Sequence, residues 1–376
     1  MWKVQLFKLN YDEREPQAVK EVVEGGWITM GEKTKEFEAK FSEAHDGLKC
    51  IAVSSATAAL HMALLALKLE KGDEVIIPAL TFVADINVVR MVGATPVLAD
   101  CESYEDWNIS ARTIEQSMSP RTKAVIVVHF AGYPAQMDDI VSLCEEKGIA
   151  LIEDCAHTPG AKYKGQSVGT FGKFGAFSFF TNKNLSVGEG GMLTTNDPEL
   201  DQQAKYFRSH GMTALTLDRH KGRAITYDIA QSGLNYRIDE MRSALGLIQL
   251  EKLPAANAKR KELVERYIER LSSVQGVALP FTELKDIEPV YHIMPILLGK
   301  NIDRIVLIGK LKADGIQSSI HYPAFKDFTA FKDIGLNAAP IAEEIATREL
   351  TLPLYPTMTI DEVDLVCDSL IEALGE

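Results

Sequence analysis

Three short stretches place chemically capable side chains at the ends of apolar runs. In Phe177-Ser178-Phe179-Phe180-Thr181-Asn182-Lys183-Asn184-Leu185, a lone lysine follows a strongly apolar strand and precedes a glycine-rich turn. A lysine held near apolar walls and other cations gives up its proton more readily, and the free amine can form a Schiff base. In Glu153-Asp154-Cys155-Ala156-His157, an acidic residue ends a buried strand. An ionised carboxylate there is costly unless a cation meets it, and a protonated pyridine nitrogen is such a cation. In Ser54-Ser55-Ala56-Thr57-Ala58-Ala59-Leu60, small residues and hydroxyls stand where a strand passes into a helix. Backbone N–H groups at such a helix start can cradle a phosphate. A fourth stretch, Gly233-Leu234-Asn235-Tyr236-Arg237, reads only as a turn and a helix start. Each also has an ordinary reading: a surface lysine at a strand end, a buried ion pair, a capped helix.

Positioning such residues requires a scaffold, and the hydrophobic pattern describes one. Strands are expected at Cys50–Val53, Glu74–Pro78, Thr95–Asp100, Ala124–His129, Ile149–Glu153, Gly175–Phe180 and Gly191–Thr195. Helices are expected at Thr57–Leu67, Asp85–Val92 and Met137–Lys147. Repeated strand–helix–strand units imply a mainly parallel sheet covered by helices on both faces. Ligands in such sheets bind beyond the carboxyl ends of the strands, which is where Pro78, His129, Asp154 and the stretch after Phe180 fall. From Asp239 the pattern changes. Helices at Arg237–Leu253 and Asn257–Ser273, separated by Pro254, precede strands at Tyr291–Leu298 and Gln317–Tyr322 and helices at Ile302–Asp314 and Asp361–Leu374. The division expected is a large domain over residues 1–250, with an N-terminal arm, and a smaller α+β domain over 251–376.

Composition narrows the function classes. The chain has 376 residues, 46% hydrophobic and 25% charged, as a soluble globular protein does. Its net charge of −13 argues against a general nucleic-acid binder. Five scattered cysteines, with no C-x-x-C, argue against a disulfide framework or a zinc ribbon. No apolar stretch is long enough for a membrane span, and the N-terminus does not read as a signal peptide, so a cytoplasmic protein is expected. The eight histidines show no metal-ligand spacing, and no metal site is expected. Gly165-Gln166-Ser167-Val168-Gly169 matches G-x-S-x-G but lacks the preceding strand and following helix of a nucleophile elbow. Gly188-Glu189-Gly190-Gly191 is not a dinucleotide fingerprint, which argues against a nicotinamide-dependent sugar reductase.

Taken in order, these segments resemble the DegT/DnrJ/EryC1/StrS family of sugar aminotransferases. The resemblance runs from Trp27-Ile28-Thr29-Met30-Gly31, through Pro78-x-x-Thr81-Phe82 and Glu153-Asp154, to Leu352-Pro353-Leu354-Tyr355-Pro356. It implies an α/β protein of the fold type I class, with a mainly parallel seven-stranded sheet and a smaller α+β C-terminal domain, using pyridoxal 5'-phosphate (PLP). Lys183 matches the lysine that holds PLP as an internal aldimine and then shuttles protons, and Asp154 the carboxylate that pairs with the pyridine nitrogen. His157 matches a residue that bonds the ring hydroxyl, where other members often have Gln; Phe82 matches the aromatic ring stacked on the cofactor. Ala56, Thr57 and Ser178 match phosphate contacts, although Ala56 replaces a usual glycine. Asn235 matches a phosphate contact donated by the neighbouring subunit, implying a homodimer. A lysine at position 183, rather than histidine, argues against the branch that removes a sugar hydroxyl.

The resemblance further implies a nucleotide-linked keto sugar as amine acceptor, L-glutamate as donor, and pyridoxamine 5'-phosphate as intermediate. Arg219 and Arg223, in the locally basic segment Leu217–Arg223, suit a diphosphate by guanidinium geometry, and equally suit a solvated loop. His210, Trp27, Thr29 and His321-Tyr322 are further candidates for the sugar pocket on matched position. Two rival readings stand beside this one: a transaminase acting on an octulosonate or an inositol ketone, and a non-catalytic PLP-binding regulator of the same fold.

Overall fold

The computed structural model describes residues 2–214, 216–222, 225–332 and 334–375, excepting the side chains of Thr216 and Arg219. Strands β1 (Lys49–Val53), β2 (Glu74–Pro78), β3 (Thr95–Ala99), β4 (Thr122–Val128) and β5 (Ala150–Asp154) come first along the chain. They are followed by the two-residue strands β6 (Lys162–Tyr163) and β7 (Gln166–Ser167), then β8 (Phe174–Ser178) and β9 (Gly191–Thr195). The main sheet has seven strands in the order β1-β9-β8-β5-β4-β2-β3. β9 runs antiparallel to both neighbours, and the remaining pairings are parallel. β2, β5, β8 and β9 are buried at every position, polar residues included, because helices cover both faces.

One of those helices matters most. Ala56–Ala66 is apolar on nearly every side and is buried accordingly. Its start is fixed by Ser55, whose hydroxyl accepts the Ala58 N–H at 3.1 Å. β9 presses on this start through Gly191, where a Cβ would lie 2.5 Å from the Ser55 carbonyl carbon and 2.7 Å from the Ala56 nitrogen. Only glycine permits that approach, so the helix start is held rigidly against the sheet.

Beyond the sheet, the expected pair of helices is one continuous helix, Glu240–Leu271, with Pro254 inside it. A mid-helix proline removes one hydrogen bond and costs about 3 kcal/mol. Here the buried stripe Gln249, Leu253, Ala256, Arg260, Leu263 and Tyr267 continues through it at helical spacing. The helix packs on Arg14–Glu24 and Glu32–Ala44 and on the C-terminal helix Ile360–Leu374, and this burial outweighs the proline. The C-terminal part carries β10 (Val277–Ala278), β11 (Ile287–Glu288), β12 (Met294–Leu298) and β13 (Glu349–Leu352). β10, β12 and β13 form an antiparallel sheet, while β11 joins β6 and β7. The expected strand at Gln317–Tyr322 is not one. It makes a single bridge, Ser319 to Thr351, because the His321 N–H is taken by the Glu349 carboxylate at 2.7 Å instead of by a ladder. The N-terminal residues pack on this part of the molecule: Val4 pairs with Ile316, and the Leu354 N–H bonds the Leu6 carbonyl.

Candidate active site

At the carboxyl edge of the sheet, the ends of β5 and β8 and the start of helix Ala56–Ala66 surround a cavity of about 390 Å³. Ala56, Thr57, Phe82, Asp154, His157, Ser178, Lys183 and His321 all line it. Residues spread over 266 sequence positions, from Ala56 to His321 counted inclusively, thus meet in one space.

Lys183 follows β8 in a tight turn closed by its own N–H on the Phe180 carbonyl at 2.9 Å. Its amine lies 3.4 Å from His292 Nε2. Asn184 orients that histidine: its amide nitrogen donates to Asn257 and to the Val290 carbonyl, leaving its oxygen to accept His292 Nδ1–H at 3.1 Å. The Nε2 lone pair therefore faces the lysine. Burial lowers the Lys183 pKa to about 8, against a smaller opposing pull from Asp154. The reactive form is the neutral amine, which gains population as pH rises. At pH 7 about a tenth of Lys183 is then neutral, against about one part in a few thousand for an ordinary lysine. Trinitrophenylation of the cofactor-free protein, read by peptide mass spectrometry, is expected to show Lys183 labelling with an inflection near pH 8. An inflection above pH 10 contradicts the lowered value.

Asp154 ends β5 and is nearly buried. Its Oδ1 accepts the Ala156 N–H at 2.8 Å. Burial pushes its pKa above the usual carboxylate value, while the Ala156 N–H, Lys183 and His129 pull it back. A desolvated carboxyl in this state favours a cationic partner. Its neighbour Glu153 points away from the cavity and accepts N–H bonds from Gly169, Phe171 and Gly172 at 2.7, 2.8 and 2.8 Å. Of the two adjacent acids, then, one ties down a loop and the other faces the site.

Phe82 keeps an unusually exposed ring for an apolar side chain (54%), open to the cavity and 5.8 Å from the Tyr322 ring. His157 accepts the Ala131 N–H through Nδ1 at 3.2 Å, which puts its proton on Nε2, 3.2 Å from the Tyr322 hydroxyl. Burial holds it well below the usual histidine range, and it is neutral. The Ser178 hydroxyl accepts the Phe180 N–H at 3.3 Å. His321 is held by Thr351, whose hydroxyl meets Nδ1 at 2.8 Å.

Four expected residues are not brought to this cavity within the chain. Trp27 packs on the His220 ring at 4.7 Å, and Thr29 is exposed. Both belong to a segment beside a second cavity, of about 340 Å³, lined by Met30, Gly31, Tyr206 and Arg208. His210 is exposed, with its backbone tied to Leu234. Asn235 is also exposed and pairs with Ser209 by backbone, one residue from the Tyr236 carbonyl that accepts the Ser54 N–H at 2.8 Å. His210 and Asn235 belong to a stretch whose end is pinned alongside β1 by the Val53–Arg237 bridge and the Ser54 N–H on the Tyr236 carbonyl, and both side chains are exposed. Arg223 and the side chain of Arg219 lie outside the described residues.

Sequence reasoning missed His292 and Asp85. His292 sits in a stretch read as strand from Tyr291, whereas β12 begins only at Met294. Asp85 stands in the sequence only as the first residue of the expected helix Asp85–Val92. The G-x-S-x-G serine, Ser167, is buried in β7 with its N–H on Asp46, far from any elbow geometry. His129, Glu153 and Cys155 come within 4.8 Å of one another, but the Glu153 oxygens are already occupied by three backbone N–H groups.

The cavity suits PLP on its own observations. It has a recessed lysine with a lowered pKa and a buried carboxyl favouring a cation. It also has an exposed aromatic face and a helix start whose first N–H groups its own turns leave free. Fold and site together define a PLP-dependent transferase of fold type I. The chain belongs to the DegT/DnrJ/EryC1/StrS aminotransferase family, whose model matches residues 10–371. An uncharacterized protein of Methanocaldococcus jannaschii is 35% identical over 376 residues, with 97% of this chain and 96% of that one covered. Spr1654 from Streptococcus pneumoniae, in its PMP form, superposes with a TM-score of 0.91 at 29% identity over 99% of this chain and 98% of that one. Its PLP form gives 0.90 at 28% identity over the same shares, 99% and 98%. PseC of Helicobacter pylori, an aminotransferase involved in the biosynthesis of pseudoaminic acid, gives 0.91 at 27% identity, covering 100% and 99%. The protein is a PLP-dependent sugar aminotransferase. No helix among the described residues is long and apolar enough to cross a membrane.

Proposed function

We propose that this enzyme moves the amino group of L-glutamate to a nucleotide-linked keto-deoxysugar, as a cytoplasmic homodimer, with pyridoxamine 5'-phosphate carrying the nitrogen between the two halves of the reaction. The observation that carries this reading is the placement of Lys183 and Asp154 in one cavity with the open Phe82 ring and the helix start at Ala56. PLP supplies an electron sink when its ring nitrogen stays protonated. Asp154 is the residue that keeps it so. Phe82 covers the ring face, and the Ala56 and Thr57 N–H groups and the Ser178 hydroxyl receive the phosphate. His157, neutral with its proton on Nε2, donates toward the ring hydroxyl and exchanges its bond to Tyr322 to do so. Lys183 would hold the cofactor through its amine, and the same amine, when free, is tethered where it could take up and give back a proton as the base of the reaction.

Support for the nucleotide-linked acceptor and for glutamate is the family resemblance. The exposed, outward-facing Asn235 supports a second subunit completing the phosphate site. The test is absorbance of the PLP-loaded enzyme on adding L-glutamate, followed by a panel of keto sugars with and without a nucleotide. Loss of the visible band with glutamate, and its return only with nucleotide-linked acceptors, is the expected result. Return with an octulosonate or an inositol ketone instead contradicts the acceptor proposed. An unchanged band with every donor points to the non-catalytic regulator. For the shared site, Lys183→Ala and Asn235→Asp, each inactive alone, are expected to regain activity when mixed and refolded together, since one site of the hybrid is intact. No recovery from active mixing controls contradicts a shared site.

A further inference from the structure

We propose that Asp85 is a positioning residue: a buried carboxylic acid that shares its proton with Asp154 and so orients the Asp154 carboxylate toward the cofactor's ring nitrogen. The proposal rests on the reading of the cavity given above.

Asp85 opens helix Ala84–Met91 beneath the cavity and is fully buried. Its Oδ2 accepts the Thr81 hydroxyl at 2.6 Å. Its Oδ1 is buried with no hydrogen-bond donor. The carboxyl it faces is Asp154, whose own Oδ1 is fixed by the Ala156 N–H. Two carboxyls in one desolvated place do not both ionise, because each charge raises the cost of the other. As an ion, Asp85 would bury a charged oxygen with nothing to satisfy it, at the full desolvation penalty. As an acid, the same oxygen carries a proton, and Asp154 is its acceptor. A single proton therefore removes both the orphaned oxygen and the repulsion.

The surroundings decide which partner holds the proton. Asp154 faces the lysine amine and His129, and either favours its ionised form. Among the described residues the donor beside Asp85 is the Thr81 hydroxyl, while burial and the Asp154 charge push its pKa well up. The Tyr322 phenol is held neutral by burial and by the Asp154 charge. The result is an anion at Asp154, with Oδ1 tied to the backbone and the rest of the carboxylate held by a donor from below. A cationic ring nitrogen then meets a charge whose direction is already set, which reduces what binding must organise.

Two substitutions separate this from a packing role. Asp85→Asn keeps the shape and offers an amide N–H in place of the acid O–H. Asp85→Leu keeps the branching at Cγ, is bulkier, and offers none. The wild type minus Asp85→Asn infrared difference spectrum of the cofactor-free proteins at pH 7.5 is expected to show a protonated-carboxyl C=O band, distinct from that of buried Glu349, which both proteins share. PLP titration is expected to give a dissociation constant for Asp85→Asn within about twofold of wild type, and one about tenfold weaker for Asp85→Leu. A band unchanged by Asp85→Asn overturns the proposal, as does Asp85→Leu binding PLP as wild type does. Asp85→Asn carries the infrared test whether or not the leucine variant folds. That readout involves no transamination, so a protein that lost the band yet turned over no sugar would uphold the acid pair and sink the proposed function alone.

Discussion

Lys183→Ala is expected to fold, to bind PLP without a covalent link, and to lose turnover by a factor on the order of 10⁴ or more. The magnitude follows from removing both an anchoring nucleophile and a positioned base, the second alone contributing about 10² to 10⁴. Folding should survive because the lysine side chain stands at a cavity wall and its backbone N–H, which closes the turn on Phe180, remains. The loss of anchoring is read by borohydride reduction followed by denaturing gel filtration: the cofactor stays with the wild-type chain and separates from that of the variant. Addition of a small primary amine should recover part of the rate, because the missing group is a base and not a shape. Turnover close to wild type in the purified variant contradicts the role given to Lys183.

Asp154→Asn is the second large effect expected, a loss on the order of 10² to 10³ in turnover, the scale seen when a preorganised electrostatic partner is removed. The amide can still accept the Ala156 N–H at its oxygen, so the fold is retained. It cannot carry the negative charge that keeps a ring nitrogen protonated. The variant differs from Lys183→Ala in a diagnostic way: the cofactor stays covalently bound and coloured while catalysis falls. A variant that loses colour altogether would show that Asp154 acts mainly in holding the cofactor. One that turns over normally contradicts its role.

Much of the sheet was legible because its strands carry short, largely apolar segments whose length and bounding residues are local facts. Glu74–Pro78 and Gly191–Thr195 appear with the expected ends, as does the helix Met137–Lys147. The main-sheet order, with β9 antiparallel between β1 and β8, has no local signature and emerges only from packing. Pro254 misled because propensity is local, whereas the buried stripe on either side of it belongs to one helix bridging two parts of the molecule. Gln317–Tyr322 reads as a strand, but its pairing stops at the Ser319–Thr351 bridge, and the His321 N–H goes to the Glu349 side chain. At the site, Lys183, Asp154 and Ser55 to Thr57 were legible because residue type, burial pattern and position at an element's end all point to chemistry. His292 and Asp85 were not. Each looks like ordinary strand or helix filler until the fold brings His292 to 3.4 Å from Lys183 and Asp85 against Asp154.

The central claim is that Lys183 is the residue to which PLP is bound. It is tested most directly by reducing the PLP-loaded protein with borohydride, digesting it, and locating the added mass by peptide mass spectrometry. The expected result is one modified peptide, containing Lys183, with the visible band lost on reduction. Modification at another lysine, or recovery of all the cofactor unreduced and free of the chain, would contradict it.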